Sequence, residues 1–200
     1  MDKKKRELKS GALIAPLPVV MVSLGDMDKP NIITVAWCGI TNTVPPKTYI
    51  SVRKSRHSHG ILTEKREFVI NLTPRELAKS ADFCGMYTGR RVDKFKKCAL
   101  TPKKATHIDA PIIEECPINI ECRVTDIVEL GSHDMFLCDI VGVSVDERLM
   151  EGEKLCINRA HLCAFAHGEY YELGSRIGKF GFSVKKKKPL NKNSNSKKEN

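Results

Sequence analysis

Asn31-Ile32-Ile33-Thr34-Val35-Ala36-Trp37 is the stretch on which the fold hinges. Four consecutive β-branched residues and a tryptophan favour a pleated strand, and the β-rich run extends to Cys38. On such a strand Asn31, Ile33, Val35 and Trp37 share one face, and Thr34 and Ala36 share the other. Turn material brackets the run: Gly25-Asp26-Met27-Asp28-Lys29-Pro30 before it and Val44-Pro45-Pro46-Lys47 after it. Strands are expected beyond each turn, at Val19 to Leu24 and at Thr48 to Lys54. Spacings this short fit antiparallel hairpins better than βαβ units.

Further out, Ser58 to Lys65 is expected to form a short helix with Ser58 as its N-cap. Glu67 to Leu72 is a strand. Thr73-Pro74-Arg75-Glu76 has the form of a capping box opening a second helix through Ala78, Ala81 and Phe83. Val92 to Lys97 is a helical turn. Two long strands follow, Ile118 to Leu130 and Met135 to Val145, joined by Gly131-Ser132-His133-Asp134. An apolar patch, Ile157 to Ala166, precedes Gly168 to Gly174. About six strands with a few short helices suggest a mainly β chain, a small closed barrel with helical decoration.

The net charge of +10 is unevenly placed, because the segment from Lys185 to Asn200 holds seven lysines and one glutamate. Too few apolar groups lie there to fold, so 185–200 is expected to be a basic disordered tail on a single domain spanning 1–184. Such a tail can attract nucleic acid or anionic lipid, but a solvated tail is the default reading. The eight cysteines form no CxxC pair and no zinc spacing. Several sit in apolar strand-like runs and read as buried thiols. Without a signal peptide or an apolar run long enough to span a bilayer, a reducing cytoplasm and no membrane role are expected.

Two segments carry possible chemistry. Ser55-Arg56-His57-Ser58 combines two hydroxyls, a guanidinium and a helix start, with Arg53 and Lys54 nearby. It can bind a phosphate through free backbone N–H groups and Arg56, or it can be an ordinary solvated basic turn. The 31–37 stretch can offer Thr34, Ala36 and adjacent main chain to a flavin, with Trp37 as a flat wall; a half-buried strand with a core tryptophan fits equally. His57 and His59 would share a strand face without a third metal ligand. His133 and Asp134 look like an acid–base pair without a nucleophile.

Together these segments resemble the flavoredoxin branch of the flavin-reductase-like, FMN-binding split barrels. The resemblance runs from about Leu13 to Lys188. It is carried by residues 31–37, by Ser51-Val52-Arg53-Lys54-Ser55-Arg56-His57-Ser58, by 67–72 and by Val92-Asp93-Lys94-Phe95. The ending Glu169-Tyr170-Tyr171-Glu172-Leu173-Gly174 and residues 178–184 also carry it. The resemblance implies an antiparallel, Greek-key split β-barrel. It implies that Asn31 and Thr34, Val35, Ala36 and Trp37 lie along the flavin and ribityl chain. Ser55, Arg56 and Ser58 would hold the phosphate, with Ser51, Val52 and Arg53 leading into that loop. Lys94 and His133 would lie near the flavin, where a cation or donor stabilises negative charge on the reduced ring. Phe165 would cover the ring.

The implied function is an FMN-binding oxidoreductase, either a flavin reductase taking electrons from NAD(P)H or a flavin-bearing carrier docking on redox proteins. A binding module acting through the basic tail is a third reading. The family pattern further implies a homodimer with the flavin near the interface. No Gly-x-Gly-x-x-Gly is present, so nicotinamide would act as a transient donor on the flavin rather than in a Rossmann site.

Overall fold

The computed structural model describes residues 4–184; the tail expected at 185–200 lies outside the described residues. The principal strands are β1 (Val20–Leu24), β2 (Asn31–Val35), β3 (Cys38–Asn42), β4 (Lys47–Arg53), β5 (Glu67–Leu72), β6 (Ile118–Glu129), β7 (His133–Val145), β8 (Cys163–Ala166) and β9 (Glu169–Glu172). Three helices accompany them: α1 (His57–Lys65), α2 (Ala78–Met86) and α3 (Lys94–Lys97). The first seven strands make one antiparallel sheet in the order β2-β1-β5-β6-β7-β4-β3. The β4–β5 connection carries α1 across to a non-adjacent strand, a Greek-key move.

β2 and β3 lie at opposite edges of this sheet, yet only Ala36 and Trp37 separate them in the chain. The sheet must therefore curl until its edges nearly meet. They do not pair, so the barrel is split, as the family resemblance implies, and not closed as the strand count alone suggests. The single strand expected over Asn31 to Cys38 is broken at this point. Cys38 N–H donates to the Ala36 carbonyl at 3.0 Å, a tight reversal, and the Trp37 carbonyl accepts from Ser51 N–H at 2.8 Å. Trp37 is thereby carried out of the wall and is 44% exposed, not a core residue.

Curling gives the barrel an apolar interior built from alternate residues: Val20, Val22 and Leu24 of β1, Ile50 and Val52 of β4, Phe68 and Ile70 of β5, and Phe136 and Cys138 of β7. A second layer packs outside it. Met21 of β1 and Ile32 of β2 bury against Ala81 and Cys84 of α2 and Phe95 of α3. All of β1 is buried because it has a core on both faces. Six of the eight cysteines are buried and Cys38 and Cys98 are half-buried, as small apolar fillers should be.

Local capping differs from expectation. α1 starts at His57 with Arg56 at the N-cap, and no side chain caps it; Ser58 lies one residue inside. No capping box forms at Thr73. A short 3-10 turn, Arg75–Leu77, follows Pro74, the Thr73 hydroxyl finds no partner, and Glu76 pairs with Arg75. The reason is tertiary: the Thr73 carbonyl accepts from Cys163 N–H and Pro74 bridges to Leu162, which fixes this corner in an extended path. Among the described residues no helix is long and apolar enough to cross a membrane.

Candidate functional site

The split in the barrel is occupied by a cleft with two compartments. The wider, about 580 Å³, is walled by Thr34 and Val35 of β2, Ala36 and Trp37 of the break, and Ser51, Val52 and Arg53 of β4. His133 at the start of β7, Asp82, Gly85 and Met86 of α2, and Phe165 and Tyr170 of the β8–β9 hairpin complete it. Its size lies within the ~300–1,000 Å³ range of small-molecule sites. The walls are largely apolar and aromatic, and Asp82 is the single acid lining it. Trp37 and His133 stand parallel, 7° apart with centroids 6.5 Å apart. The hairpin tip, His167-Gly168, has both residues at positive φ. Behind it, Tyr170 packs edge-on against Phe165 and donates to Asp82 Oδ1 at 3.1 Å.

The narrower compartment, about 240 Å³, is lined by Ser55, Arg56, His57, Ser58, Cys84, Tyr87, Thr88, Gly89 and Lys94. Ile33, Arg53 and Arg56 line both compartments, so the two are ends of one cleft. This end contains no carboxylate. It gathers two arginines, a lysine, two serines and the uncapped N-terminus of a nine-residue helix. Free first-turn N–H groups, the positive helix end and guanidinium forks are the donors a phosphate requires.

Thirteen of the fourteen residues singled out from sequence line this cleft. Asn31 does not; it lies behind the wall, where its Nδ2 donates to Ser58 Oγ at 3.0 Å. Gly89 covers it closely: a Cβ there would fall 2.2 Å from Asn31 Oδ1, so only glycine lets the 88–91 loop close over that pair. Lys94 is buried at the narrow end and not beside the wide one. Its Nζ donates to the Ile32 carbonyl at 2.6 Å and the Cys84 carbonyl at 2.7 Å, tying α3 to β2 and α2. Burial pulls its pKa down to about 8, and Arg56 adds to that, while Cys84 and Cys98 oppose it. His133 is also held below the ordinary histidine value, by burial and then by Arg53. It therefore serves at neutral pH as a neutral donor or acceptor, not as a cation.

The pairing of His133 with Asp134 does not occur. Neighbours on a strand point to opposite faces, and Asp134 turns to His59, whose Nε2 lies 2.7 Å from its Oδ2, and to Lys54. Burial raises the Asp134 pKa, but the His59 hydrogen bond and the Lys54 ammonium outweigh it and hold the carboxyl below its usual range. His59 sits on α1 rather than on a strand face with His57.

Sequence reasoning missed Asp82, Gly85, Met86, Tyr87, Thr88 and Gly89, all on α2 and the loop after it. The Thr88-Gly89-Arg90-Arg91 run, a glycine among basic residues, was the available signal. The polarity gradient along the cleft fits a molecule with an anionic end and a flat aromatic end, as in a phosphorylated flavin.

Comparison with known proteins agrees with that fit. Residues 13–174 match the flavin reductase like domain. Flavoredoxin of Desulfovibrio vulgaris (Miyazaki F) superposes with a TM-score of 0.85 at 34% identity, covering 91% of this chain and 100% of that one. An NADPH-flavin oxidoreductase of Streptomyces viridifaciens is 23% identical over 139 residues, 68% of this chain and 70% of its own. An FMN reductase (NADH) of Bradyrhizobium diazoefficiens is 22% identical over 125 residues, 62% and 66% of the two chains.

Proposed function

Because the chain belongs to the flavin reductase-like family, we propose that its cleft binds FMN with the phosphate at the narrow end and the ring at the wide end. The protein is an FMN-binding oxidoreductase. The observation that supports the orientation is the continuity of a carboxylate-free, cationic compartment with an apolar, aromatic one through Ile33, Arg53 and Arg56. Bound FMN supplies the hydride and electron chemistry. The chain's own residues do the rest. Arg56, Ser55 and the α1 N-terminus take the phosphate, and Asn31 fixes the Ser58 hydroxyl beside it. Main chain at Thr34 to Trp37 and at Ser51 to Arg53 faces the ring edge. Phe165 and Tyr170 cap one side of the wide end, while exposed Trp37 and Met86 border its mouth, where a donor must enter.

The donor is NAD(P)H in the reductase reading. The carrier reading, with a redox protein as partner, is favoured by the likeness to flavoredoxin. Anaerobic mixing with NADH or NADPH separates them, since rapid loss of flavin colour belongs to the reductase. We infer one domain over residues 1–184, with the basic 185–200 segment outside the flavin site, acting as a homodimer. A reducing compartment such as the cytoplasm suits eight free thiols.

The test of the orientation is Arg56→Ala titrated with two ligands. FMN affinity should fall by about tenfold or more, the scale of a lost charge-assisted contact, and riboflavin affinity should barely change. Equal losses for both ligands would place the phosphate elsewhere.

A further inference from the structure

Among the described residues one pair of cysteine sulfurs is in contact: Cys84 Sγ lies 3.9 Å from Cys98 Sγ. Cys84 is in the last turn of α2, is fully buried and lines the narrow end of the cleft. Cys98 is the half-buried residue that ends α3. We propose that Cys84 and Cys98 are a redox-active dithiol in the cleft wall, and that their disulfide loosens the hold on the FMN phosphate. The effect on FMN rests on the reading given above; the dithiol itself does not.

A disulfide needs the sulfurs about 2 Å apart, so the 3.9 Å gap must close by about 2 Å in all. That adjustment is not shared evenly. α2 is fastened to β2 by the Thr34 hydroxyl, which donates to the Ala81 carbonyl. α3 has four residues and is anchored only at its start, by the Lys94 ammonium and the buried Phe95 ring, while Cys98 at its end is half-buried. The shift therefore falls on α3. Lys94 and Cys98 are one turn apart on that helix, so drawing Cys98 toward α2 disturbs the ammonium that lines the narrow end.

The chemistry balances with a low-molecular-weight disulfide as oxidant. Half-buried Cys98 is reachable; its thiolate attacks one sulfur of the small disulfide, forming a mixed disulfide and releasing one small thiolate. Cys84 then loses its proton and attacks Cys98 Sγ, forming the internal bond and releasing the second small thiolate. Two protein thiols give up two electrons and two protons, and one small disulfide becomes two thiols. Burial, with Cys98 adding to it, holds the Cys84 thiol up at about 12, against the pull of Lys94. Cys84 is therefore a poor first attacker, but proximity favours it in the second, intramolecular step.

The protein is treated with 5,5′-dithiobis(2-nitrobenzoic acid), and its peptides are mapped by mass spectrometry. The expected product joins the Cys84 and Cys98 peptides with loss of two hydrogens and no aryl adduct. Cys84→Ser should stop at a stable aryl adduct on Cys98. FMN affinity, read by flavin fluorescence, should be about tenfold weaker in the oxidised protein, the scale of one charge-assisted contact, and dithiothreitol should restore it. Cys98→Ser should show no such response. A stable adduct on Cys98 of the unsubstituted protein overturns the dithiol. An equal FMN dissociation constant in the two forms overturns its coupling to the cleft. Failure of the reduced protein to bind FMN at all overturns the flavin reading instead, because the joined peptides are detected without flavin.

Discussion

Lys94 stands beside Lys96 and Lys97 in the sequence and shares nothing with them in the fold. It is buried with its ammonium on two carbonyls, while the other two are exposed. In the proposed orientation its position at the narrow end puts it beside the phosphate rather than the ring, so its charge is expected to act on FMN affinity. A lysine lowered to about 8 is charged below that pH and neutral above it. A phosphate dianion binds the charged form, so FMN affinity should hold from about pH 6, where the second phosphate proton is lost, to about 8. Above 8 it should fall by up to about tenfold per pH unit. Riboflavin should show no such fall, and Lys94→Met should flatten the FMN profile. The same residue sets a stability slope. The unfolded chain keeps this proton to 10.5 and the folded one only to about 8. Between those values the unfolded state binds more protons, so the ligand-free protein gains stability as pH rises. Denaturant titrations at pH 8 and 10 on the native chain and on Lys94→Met test this; equal slopes would mean the ammonium is not paying for its burial.

At the scale of elements, Asn71 holds four parts of the chain together. It is fully buried on β5, and its Nδ2 donates to the Met21 carbonyl and to Ser23 Oγ, each at 2.8 Å. Its Oδ1 accepts from Ile113 N–H at 3.0 Å and from Asn119 Nδ2 at 2.8 Å. One amide thus joins β1, β5, β6 and the chain leading into β6. Asn71→Ala leaves the buried Ile113 N–H without a partner and removes one contact each from Ser23 Oγ, Asn119 Nδ2 and the Met21 carbonyl, the first two keeping the Pro111 and Ile113 carbonyls. The cost should be about 3 kcal/mol or more, seen as a fall in Tm of roughly 6–12 °C for a domain of this size. The folded fraction should keep its FMN affinity, because Asn71 lines neither end of the cleft. The strand itself was legible, since Glu67 to Leu72 has the bounds expected from its composition. The role of its asparagine was not, because its partners lie 42 to 50 residues away in the chain, apart from a contact with Val69.

For the whole molecule, the segment after β9 leaves large apolar side chains in water. Ile177 is 93% exposed and Val184 81%, and Phe180 has no cover. Several large apolar side chains left uncovered along one short segment are costly for a monomer and support the proposed homodimer. Light scattering should give twice the chain mass, and Ile177→Asp with Phe180→Asp should shift it toward the monomer; an unchanged mass would remove this segment from the interface. The sequence by itself determined the strand periodicity, the antiparallel hairpins and the basic serine-rich turn after β4, because these depend on neighbours in the chain. Thirteen of the fourteen residues that the family likeness singled out line the cleft. Only the tertiary structure decided that the 31–38 strand breaks at Ala36-Trp37. That break is held by Ser51 N–H, a strand away, donating to the Trp37 carbonyl. It also decided that Asp134 pairs with His59, that Lys94 is buried, and that α2 with its following loop forms the far wall. Each of these is a contact between segments remote in sequence, and its energy exists only once the sheet has curled and brought them together.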